Sequence, residues 1–432
     1  MSALPNQVNY YEPLLRLPEN TTNFLAAALP TNGSKFGPGS IAQVDLQTNR
    51  GFLDPASLSI RYKVEVSSAS GKEAKLVGTP AYTFINKFVC YANSQTIETI
   101  SNYNTVANLL TNIKLSCAQK LGQQYNLGFL SETPDLAVDN EEIDGRVCAT
   151  DLDTFYLSAP LYCLMGNSEK LIPLFLLQNM RMEFTFESLA NISSNLTSDD
   201  KATSYEITNF EVVYNVIDFG AEIQRQIMSE NPKILIKTSS YNTSVAPIGQ
   251  STSGNINLIY NLRYASIKSA FLNFGGTSTS DTVGSANKNM DSFDVTAGDG
   301  DYSLQIAGMS YPQKSLSTLN NKAGIFNELR RAMGSIFNNN NSMSINTLEF
   351  SKDDGDGTEI TIPAKFWVGF NLQKLTIESK AFFSGVSTQN SPITAIINSN
   401  HSTTQSFNAM LIAVYDAIIE IDTQTKQCVI VS

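Results

Sequence analysis

The middle of the chain, residues 205–240, predicts a strand, a short helix and a second strand. The apolar residues that recur at every second position of the first segment are Phe210, Val212, Tyr214 and Val216. That spacing places them on one face of a strand. Gly220 ends the run, residues 221–228 contain no Gly, Pro or Thr, and Pro232 follows. We therefore expect a helix that stops before Pro232, after which a new β-rich run begins.

Two short segments before this point recur after it. Residues 210–219 (FEVVYNVIDF) resemble residues 411–420 (LIAVYDAIIE), and residues 60–62 (IRY) resemble residues 262–264 (LRY). The offsets are 201 and 202 residues, which agree to within one residue. A duplicated module produces a constant offset of this kind. The sequence therefore predicts two tandem β domains.

Most of the remaining chain has the pattern of strands. The segments that we predict as strands are 41–47, 57–66, 81–91, 154–165, 181–186, 233–238, 256–274, 302–309, 366–377, 393–398 and 411–421. Two further helices are predicted. One has apolar residues at helical spacing from Val106 to Ile113 and Ser101 as its cap, and the other covers 326–337. Strands separated by frequent turn signals are typical of a β-sandwich or jelly roll.

Three segments lack any periodic pattern. Residues 1–40 contain five prolines among Asn, Thr and Gly, and we expect an extended N-terminal arm that a partner orders. Residues 275–300 and 338–361 are polar and too long for simple connections. We expect both to be surface loops.

The composition excludes several classes of function. Only 16% of the residues are charged, and the net charge is −11 with no basic stripe. Direct binding to nucleic acid draws on clustered Lys and Arg, so we do not expect it. The five cysteines are widely spaced and form no CxxC pair, which argues against a disulfide framework and favours folding in a reducing compartment. We recognise no signal peptide and no apolar run long enough for a membrane span.

Catalytic and metal-binding patterns are weak. His401 is the only histidine, lies in a polar segment, and offers no visible partner for acid–base work. The acidic segment 353–359 (DDGDGTE) lacks the full spacing of a calcium loop, and we interpret it, like 299–301 (DGD), as a solvated turn. Trp367 lies in an apolar run and is expected in the core. We therefore assign no catalytic, cofactor-binding or metal-binding residue and expect no enzyme activity.

Four segments together resemble a known protein family. The N-terminal arm (1–40), the run at 49–66 (NRGFLDPASLSIRYKVEV), the helix at 103–106 (YNTV) and the pattern from Pro173 to the strand at 181–186 (RMEFTF) resemble double jelly-roll major capsid proteins. The similarity is greatest to those of polinton-like viruses and virophages, and more distant to the adenovirus hexon lineage. In the second half, the resemblance depends on the layout of the elements alone.

The resemblance implies an all-β fold of two tandem eight-stranded antiparallel jelly rolls, a double jelly roll, with a few short helices. It also implies a homotrimer that forms a pseudo-hexameric capsomer of an icosahedral double-stranded DNA virus, with no catalytic residues. Its implied partners are neighbouring capsomers, penton proteins, minor capsid or cement proteins and an internal membrane. The protein would be located in the virion after assembly in the host cytoplasm or nucleus.

The expected domains follow from the same layout. They are an N-terminal arm (1–40), a first jelly roll (41–219), a helical linker (220–232) and a second jelly roll (233–432). One alternative remains open, a secreted or surface β-sandwich protein that binds or cleaves carbohydrate. That alternative predicts a signal peptide, disulfides and exposed aromatic side chains.

Overall fold

A computed structural model shows a chain made mainly of antiparallel strands. The residues that the structure describes are 21–46, 50–93, 95–129, 146–177, 179–193, 201–276, 290, 292–319, 322–334, 343–345, 350, 365–374, 383–403 and 406–432. Their strands form two sandwiches, each with two main sheets, and the sheets are open.

The first sandwich is built from the N-terminal half. Its strands are β1 (Thr22–Ala28), β2 (Lys35–Phe36), β3 (Ile41–Asp45), β4 (Phe52–Leu53), β5 (Ser59–Ser68), β6 (Lys75–Leu76), β7 (Ile85–Ala92), β8 (Gln95–Ile100), β9 (Arg146–Val147), β10 (Leu152–Pro160), β11 (Ile172–Pro173), β12 (Arg181–Phe186) and β13 (Ala202–Asp218). One main sheet has the order β1-β13-β5-β10, with β2, β4 and β11 attached, and the other has the order β3-β12-β7-β8.

The second sandwich uses the C-terminal half in the same way. Its strands are β14 (Lys233–Ile248), β15 (Gly254–Tyr260), β16 (Ile267–Gly276), β17 (Gly300–Ile306), β18 (Met309–Ser317), β19 (Val368–Asn371), β20 (Ile393–Ser399), β21 (Phe407–Asp422) and β22 (Cys428–Val431). The main sheets have the orders β14-β21-β16-β19 and β15-β20-β17-β18, and β22 pairs with β21.

The two halves have identical wiring. When the eight principal strands of each half are numbered one to eight along the chain, both halves have sheets in the orders 1-8-3-6 and 2-7-4-5. This is the arrangement of a jelly roll, in which the first and last strands are neighbours and two four-stranded sheets enclose the core. The fold predicted from the sequence is therefore confirmed.

Only one of the two repeated sequence segments lies at equivalent positions in both halves. Residues 210–219 belong to β13 and the residue after it, and residues 411–420 belong to β21, and these two strands are each the eighth of their half. The second echo is wrong as a structural correspondence. Residues 60–62 lie within β5, whereas residues 262–264 lie in the connection between β15 and β16.

Strand alternation explains the core. In β5, Ile60, Tyr62, Val64 and Val66 are all buried, as their spacing predicts, and the residues between them face outward. The paired residues of β13 are likewise buried in the same core. Antiparallel partners share a face, so the apolar sets of neighbouring strands meet between the two sheets.

Six α-helices lie entirely within the described part of the chain. They are α1 (Pro80–Thr83), α2 (Tyr103–Lys114), α3 (Cys117–Gly122), α4 (Gln124–Leu127), α5 (Ala221–Glu230) and α6 (Ala323–Ala332). Helix α5 connects the two sandwiches and confirms the helix predicted at 221–228. Helix α2 is also confirmed, but Ser101 is not its cap, because the N-cap residue is Asn102 and makes no side-chain cap bond.

Several predicted boundaries differ from the structure. The strand expected at 81–91 begins only at Ile85, because α1 occupies the residues before it. The run 256–274 is two strands, and the run 366–377 contains only the four-residue β19. The predicted helix at 326–337 begins three residues earlier, at Ala323, and ends at Ala332.

Two segments expected to be irregular also contain ordered parts. Within the predicted arm 1–40, β1 pairs along its whole length with β13, and residues 1–20 lie outside the described part. Within the predicted surface loop 275–300, Phe293 and Val295 are buried in the core. The loop predicted at 338–361 falls almost entirely outside the described residues.

Candidate functional site: the junction between the two sandwiches

Two of the candidates for chemistry lie side by side, His401 and Asp299 of the 299–301 turn. His401 is exposed, and its Nε2 lies 3.6 Å from Asp299 Oδ2. Asp299 Oδ1 also accepts a hydrogen bond of 3.0 Å from Asn400 Nδ2. The acidic segment 353–359 lies outside the described residues. In the described part of the chain, no group of three or more His, Cys, Asp or Glu side chains could hold a metal ion.

Trp367 and the cysteines occupy structural positions. Trp367 is buried, which confirms the sequence interpretation. All five cysteines are free, and Cys117 alone among them is exposed. Burial raises the pKa of Cys148 to about 12 and that of Cys428 to about 11, and it also raises the pKa of Cys90 and Cys163. The four buried cysteines are therefore thiols at neutral pH and act as small apolar side chains.

A buried carboxyl group marks the place where the two sandwiches meet. Glu98, on β8 of the first sandwich, accepts a hydrogen bond from the Ser240 hydroxyl on β14 of the second. Both Glu98 carboxylate oxygens also face the Leu164 N–H, at 2.8 and 2.9 Å. The Leu164 carbonyl in turn accepts a hydrogen bond from the Thr238 hydroxyl. Leu164 thus links both sides of the junction through its backbone.

The environment of Glu98 favours its neutral form. Burial raises the pKa of this carboxyl to about 7, although the hydrogen bonds from Ser240 and Leu164 oppose the shift. Removal of the carboxylate from water disfavours its charged form more than the two hydrogen bonds favour that form, so the pKa rises.

Further polar contacts extend the junction on both sides of Glu98. Asn167 Nδ2 donates to the Ser239 carbonyl at 2.8 Å, and the Thr243 hydroxyl donates to the Ser101 carbonyl at 3.1 Å. At the other side, Asn93 donates to the Lys426 carbonyl in the loop before β22. Strand β8 packs against both β14 and β22. These contacts hold the two sandwiches in one arrangement.

The junction provides structural support rather than chemistry. Its groups are a buried carboxyl, hydroxyls and amides that bond to one another or to backbone carbonyls, as buried polar groups generally do, except that Asn93 Oδ1 is buried without a hydrogen-bond partner among the described residues. The local sequence pattern does not indicate Glu98 as a site residue. The available signal was an acidic residue between Ile97 and Ile100 in a short apolar run.

The equivalent edge strands of the two sandwiches carry exposed apolar side chains within the described part of the chain. Strand β18 is the last strand of its sheet, and Met309 at its start is 60% exposed. Strand β1 is the first strand of its half, and Phe24 and Leu25 on it are also exposed. No helix in the described part of the chain combines the length and apolar character needed to cross a membrane.

Two tandem sandwiches with the same jelly-roll wiring define a double jelly-roll protein. No protein-family model and no curated protein matches the sequence. Solved structures do match. The major capsid protein of Faustovirus aligns with a TM-score of 0.62 at 10% identity, covering 96% of this chain and 92% of that chain.

Two further structures match over nearly the whole chain. PBCV-1 VP54, fitted into a reconstruction of the virophage Sputnik, has a TM-score of 0.61 at 10% identity and covers 98% of this chain and 99% of its own. The mavirus major capsid protein has a TM-score of 0.53 at 10% identity, with 100% and 95% covered. At this identity the similarity establishes the fold, and it confirms the double jelly roll expected from the resemblance.

Proposed function

We propose that this protein is a major capsid protein, which trimerises into pseudo-hexameric capsomers that tile the icosahedral shell of a double-stranded DNA virus. The observation that carries the proposal is the duplicated 1-8-3-6 and 2-7-4-5 wiring, which matches solved viral capsid proteins over almost the whole chain. The proposal assigns no catalytic activity and no cofactor.

The physical properties of the chain fit this role. Three copies of two sandwiches supply six similar units, which is the number that a hexagonal outline requires. Only 16% of the residues are charged, so identical surfaces can meet with little like-charge repulsion. The free cysteines agree with assembly in the host cytoplasm or nucleus, where thiols remain reduced.

The proposal includes a division of the chain and a set of partners. We place the first jelly roll from Thr22 to residue 219, because β1 is its first strand, the linker at 220–232 and the second jelly roll at 233–432. The arm of this division is shorter than the 1–40 expected from the sequence, because β1 and β2 lie within that range. The proposed partners are neighbouring capsomers, penton proteins, and minor capsid or cement proteins, with an internal membrane beneath the shell as a further candidate.

Mass in solution tests the proposal directly. We expect light scattering after size exclusion to give three times the chain mass of 47.2 kDa, and negative-stain images of the same peak to show hexagonal outlines. A closed ring resists further growth, so the mass should not increase with concentration. A monomer that persists at high concentration would overturn the capsomer.

One observation favours the carbohydrate-binding alternative. Tyr125 and Tyr156 are exposed and flank an open groove of about 600 Å³, to which Arg61 and Glu211 also contribute. Tyrosine rings beside polar groups suit a sugar surface. A monomeric result would therefore direct attention to this groove, and a glycan array would be the next measurement.

A further inference from the structure

The junction within one chain has a counterpart on each copy that no described residue of the same chain occupies. The first sandwich contributes β8, its fifth strand, and the second sandwich contributes β14, its first strand. By the shared wiring, β18 is the fifth strand of the second sandwich and β1 is the first strand of the first sandwich. Each copy therefore presents both halves of a second junction that it cannot close with itself.

The pairing registers identify the equivalent residues on the first strands. Ser240 lies opposite Tyr415, and Ala26 lies opposite Tyr214. The two tyrosines are the matching residues of the sequence echo at the eighth strands. Ala26 is therefore the counterpart of Ser240, and Phe24, two residues earlier, is the counterpart of Thr238.

The fifth strands align in the same manner. Both begin after a two-residue hairpin turn, because Ala92 pairs with Gln95 and Ile306 pairs with Met309. On β7, two residues before Ala92, Cys90 pairs with Glu98 of β8. At the matching position of the other hairpin, Leu304 lies opposite Tyr311. Tyr311 is therefore the counterpart of Glu98.

Burial differs sharply between the two sets of positions. Thr238 is only 6% exposed, because the first sandwich covers it, whereas Phe24 is 38% exposed. Phe24 lies opposite the buried Val216, so its side chain is on the inward face of the sheet, as is that of Thr238. Phe24 keeps this exposure although the Arg50 guanidinium lies 5.6 Å from the centroid of its ring, and an aromatic side chain exposed on that face is typical of a surface that a partner covers.

The chemistry of the exposed counterparts is apolar. Phe24, Ala26, Tyr311 and Met309 occupy these positions, where the internal junction has hydroxyls and a carboxyl. Burial of such side chains provides a driving force for association that needs no matching charges. Pro312 and Lys314 within β18 oppose pairing of its edge as an additional sheet strand. Contact through side chains, as between β8 and β14, is therefore the mode that this strand permits.

We propose that β18 and its hairpin in one copy pack against the inward face of β1 in a second copy, so that the junction within the chain is repeated between chains. This inference rests on the trimer proposed above and identifies its contact. The contact is heterologous, since each copy contributes two different surfaces, and three such contacts close a ring.

Three charge substitutions test the contact. Phe24→Asp and Met309→Asp each place a carboxylate in the proposed contact, and Ile259→Asp places one at a similarly exposed site, 63% against 60% for Met309, on β15 outside both surfaces. We expect the first two variants to be monomers at concentrations at which wild type is fully trimeric. We expect the Ile259→Asp variant to remain trimeric. Circular dichroism of each variant checks that the fold is retained.

A cross-linking measurement covers the case in which a charge disrupts folding. Ala26→Cys and Tyr311→Cys are combined in a Cys117→Ser background, which removes the exposed native thiol. A short bis-maleimide should then produce covalent dimers and trimers and no larger species. A variant with only one of these two cysteines should produce neither covalent dimers nor covalent trimers.

The possible outcomes separate the two proposals. A wild-type trimer that persists in both the Phe24→Asp and Met309→Asp variants, without cross-linking, would overturn the contact and leave the capsomer standing. Loss of the trimer in only one of these two variants would show that these two strands are not partners. A monomeric wild type would overturn the contact together with the capsomer.

Discussion

Glu98 is the residue on which the hydrogen bonds of the junction converge, and it gives the protein a specific response to pH. The folded protein keeps the Glu98 proton up to about pH 7, whereas an ordinary glutamate releases it near 4.5. The unfolded chain therefore loses this proton first as pH rises. The free energy of unfolding should fall by about 3 kcal/mol between pH 4.5 and 7 from this group alone, and change little above pH 7.

Glu98→Gln removes this titration while keeping the shape of the side chain. We expect the midpoint of thermal unfolding to decrease less between pH 5 and pH 8 in the variant than in wild type. Differential scanning calorimetry at both pH values measures the two shifts. Glu222→Gln, at an exposed position on α5, is the matched control and should retain the wild-type pH dependence. Equal pH shifts in wild type and Glu98→Gln would show that Glu98 is already ionised in the folded protein.

Single residues were predictable from sequence only where their role is local. The burial of Trp367 followed from the apolar run around it. The role of Glu98 did not, because its partner Ser240 is 142 residues away in the sequence. Nothing in the local pattern indicates which strand of a second domain will cover a given acidic side chain. The candidate site was therefore not predicted, because its residues come together only in the folded chain.

At the scale of elements, the contact between α6 and β19 depends on a glycine. A side chain at Gly369 would place its Cβ 2.8 Å from the Leu329 Cα and 3.1 Å from the Ala332 Cβ, both in the helix. These distances are closer than two carbon atoms approach without displacement. The glycine thus allows the helix to lie directly on the strand.

Gly369→Ala should separate this helix from the sheet. We expect it to lower the free energy of unfolding by about 1–3 kcal/mol through overpacking. Gly324→Ala is the contrasting variant, because Gly324 is in the same helix and a Cβ there meets nothing within 4 Å. It should raise stability by about 0.5 kcal/mol, since alanine loses less backbone freedom on folding. Thermal midpoints measured by circular dichroism should move in opposite directions, and shifts of the same sign would contradict the packing argument.

The elements show where sequence patterns succeed and where tertiary structure overrides them. Alternation predicted β5 and β12 well, because each has one buried and one outward face. Strand β1 was missed because its sequence, TNFLAAA, is rich in alanine and has no alternation. Its conformation comes from pairing with β13, a long-range interaction. The helix α1 replaced a predicted strand start for a related reason, since Pro80 fits the first turn of a helix.

The whole molecule is held together by more than its covalent connection. Helix α5 has no buried residue, so it contributes little to the position of the second sandwich. The contacts of β8 with β14 and β22, and the buried bonds of Glu98 and Thr238, contribute more. The two sandwiches should therefore stay associated without the linker.

A protease site inserted in α5 tests this expectation. The cleaved protein should elute from size exclusion at the same volume as the intact protein and give two bands on a denaturing gel. Thr238→Asp adds a charge at the buried junction, and in that background the two fragments should separate after cleavage. Separation of the cleaved wild-type fragments would mean that the linker, not the junction, sets their arrangement.

The polar groups of the internal junction favour one docking arrangement of the two sandwiches while the chain folds. A chain whose sandwiches dock one strand position out of register would bury Glu98 without the Ser240 hydroxyl of the second sandwich, and only the Leu164 N–H of its own sandwich would remain. An unsatisfied buried carboxyl is costly, whereas a purely apolar contact tolerates small shifts. Misdocked chains are therefore disfavoured before any two copies meet. For the proposed capsid role, the population that proceeds to assembly would then be uniform in shape, as a lattice of repeated units requires.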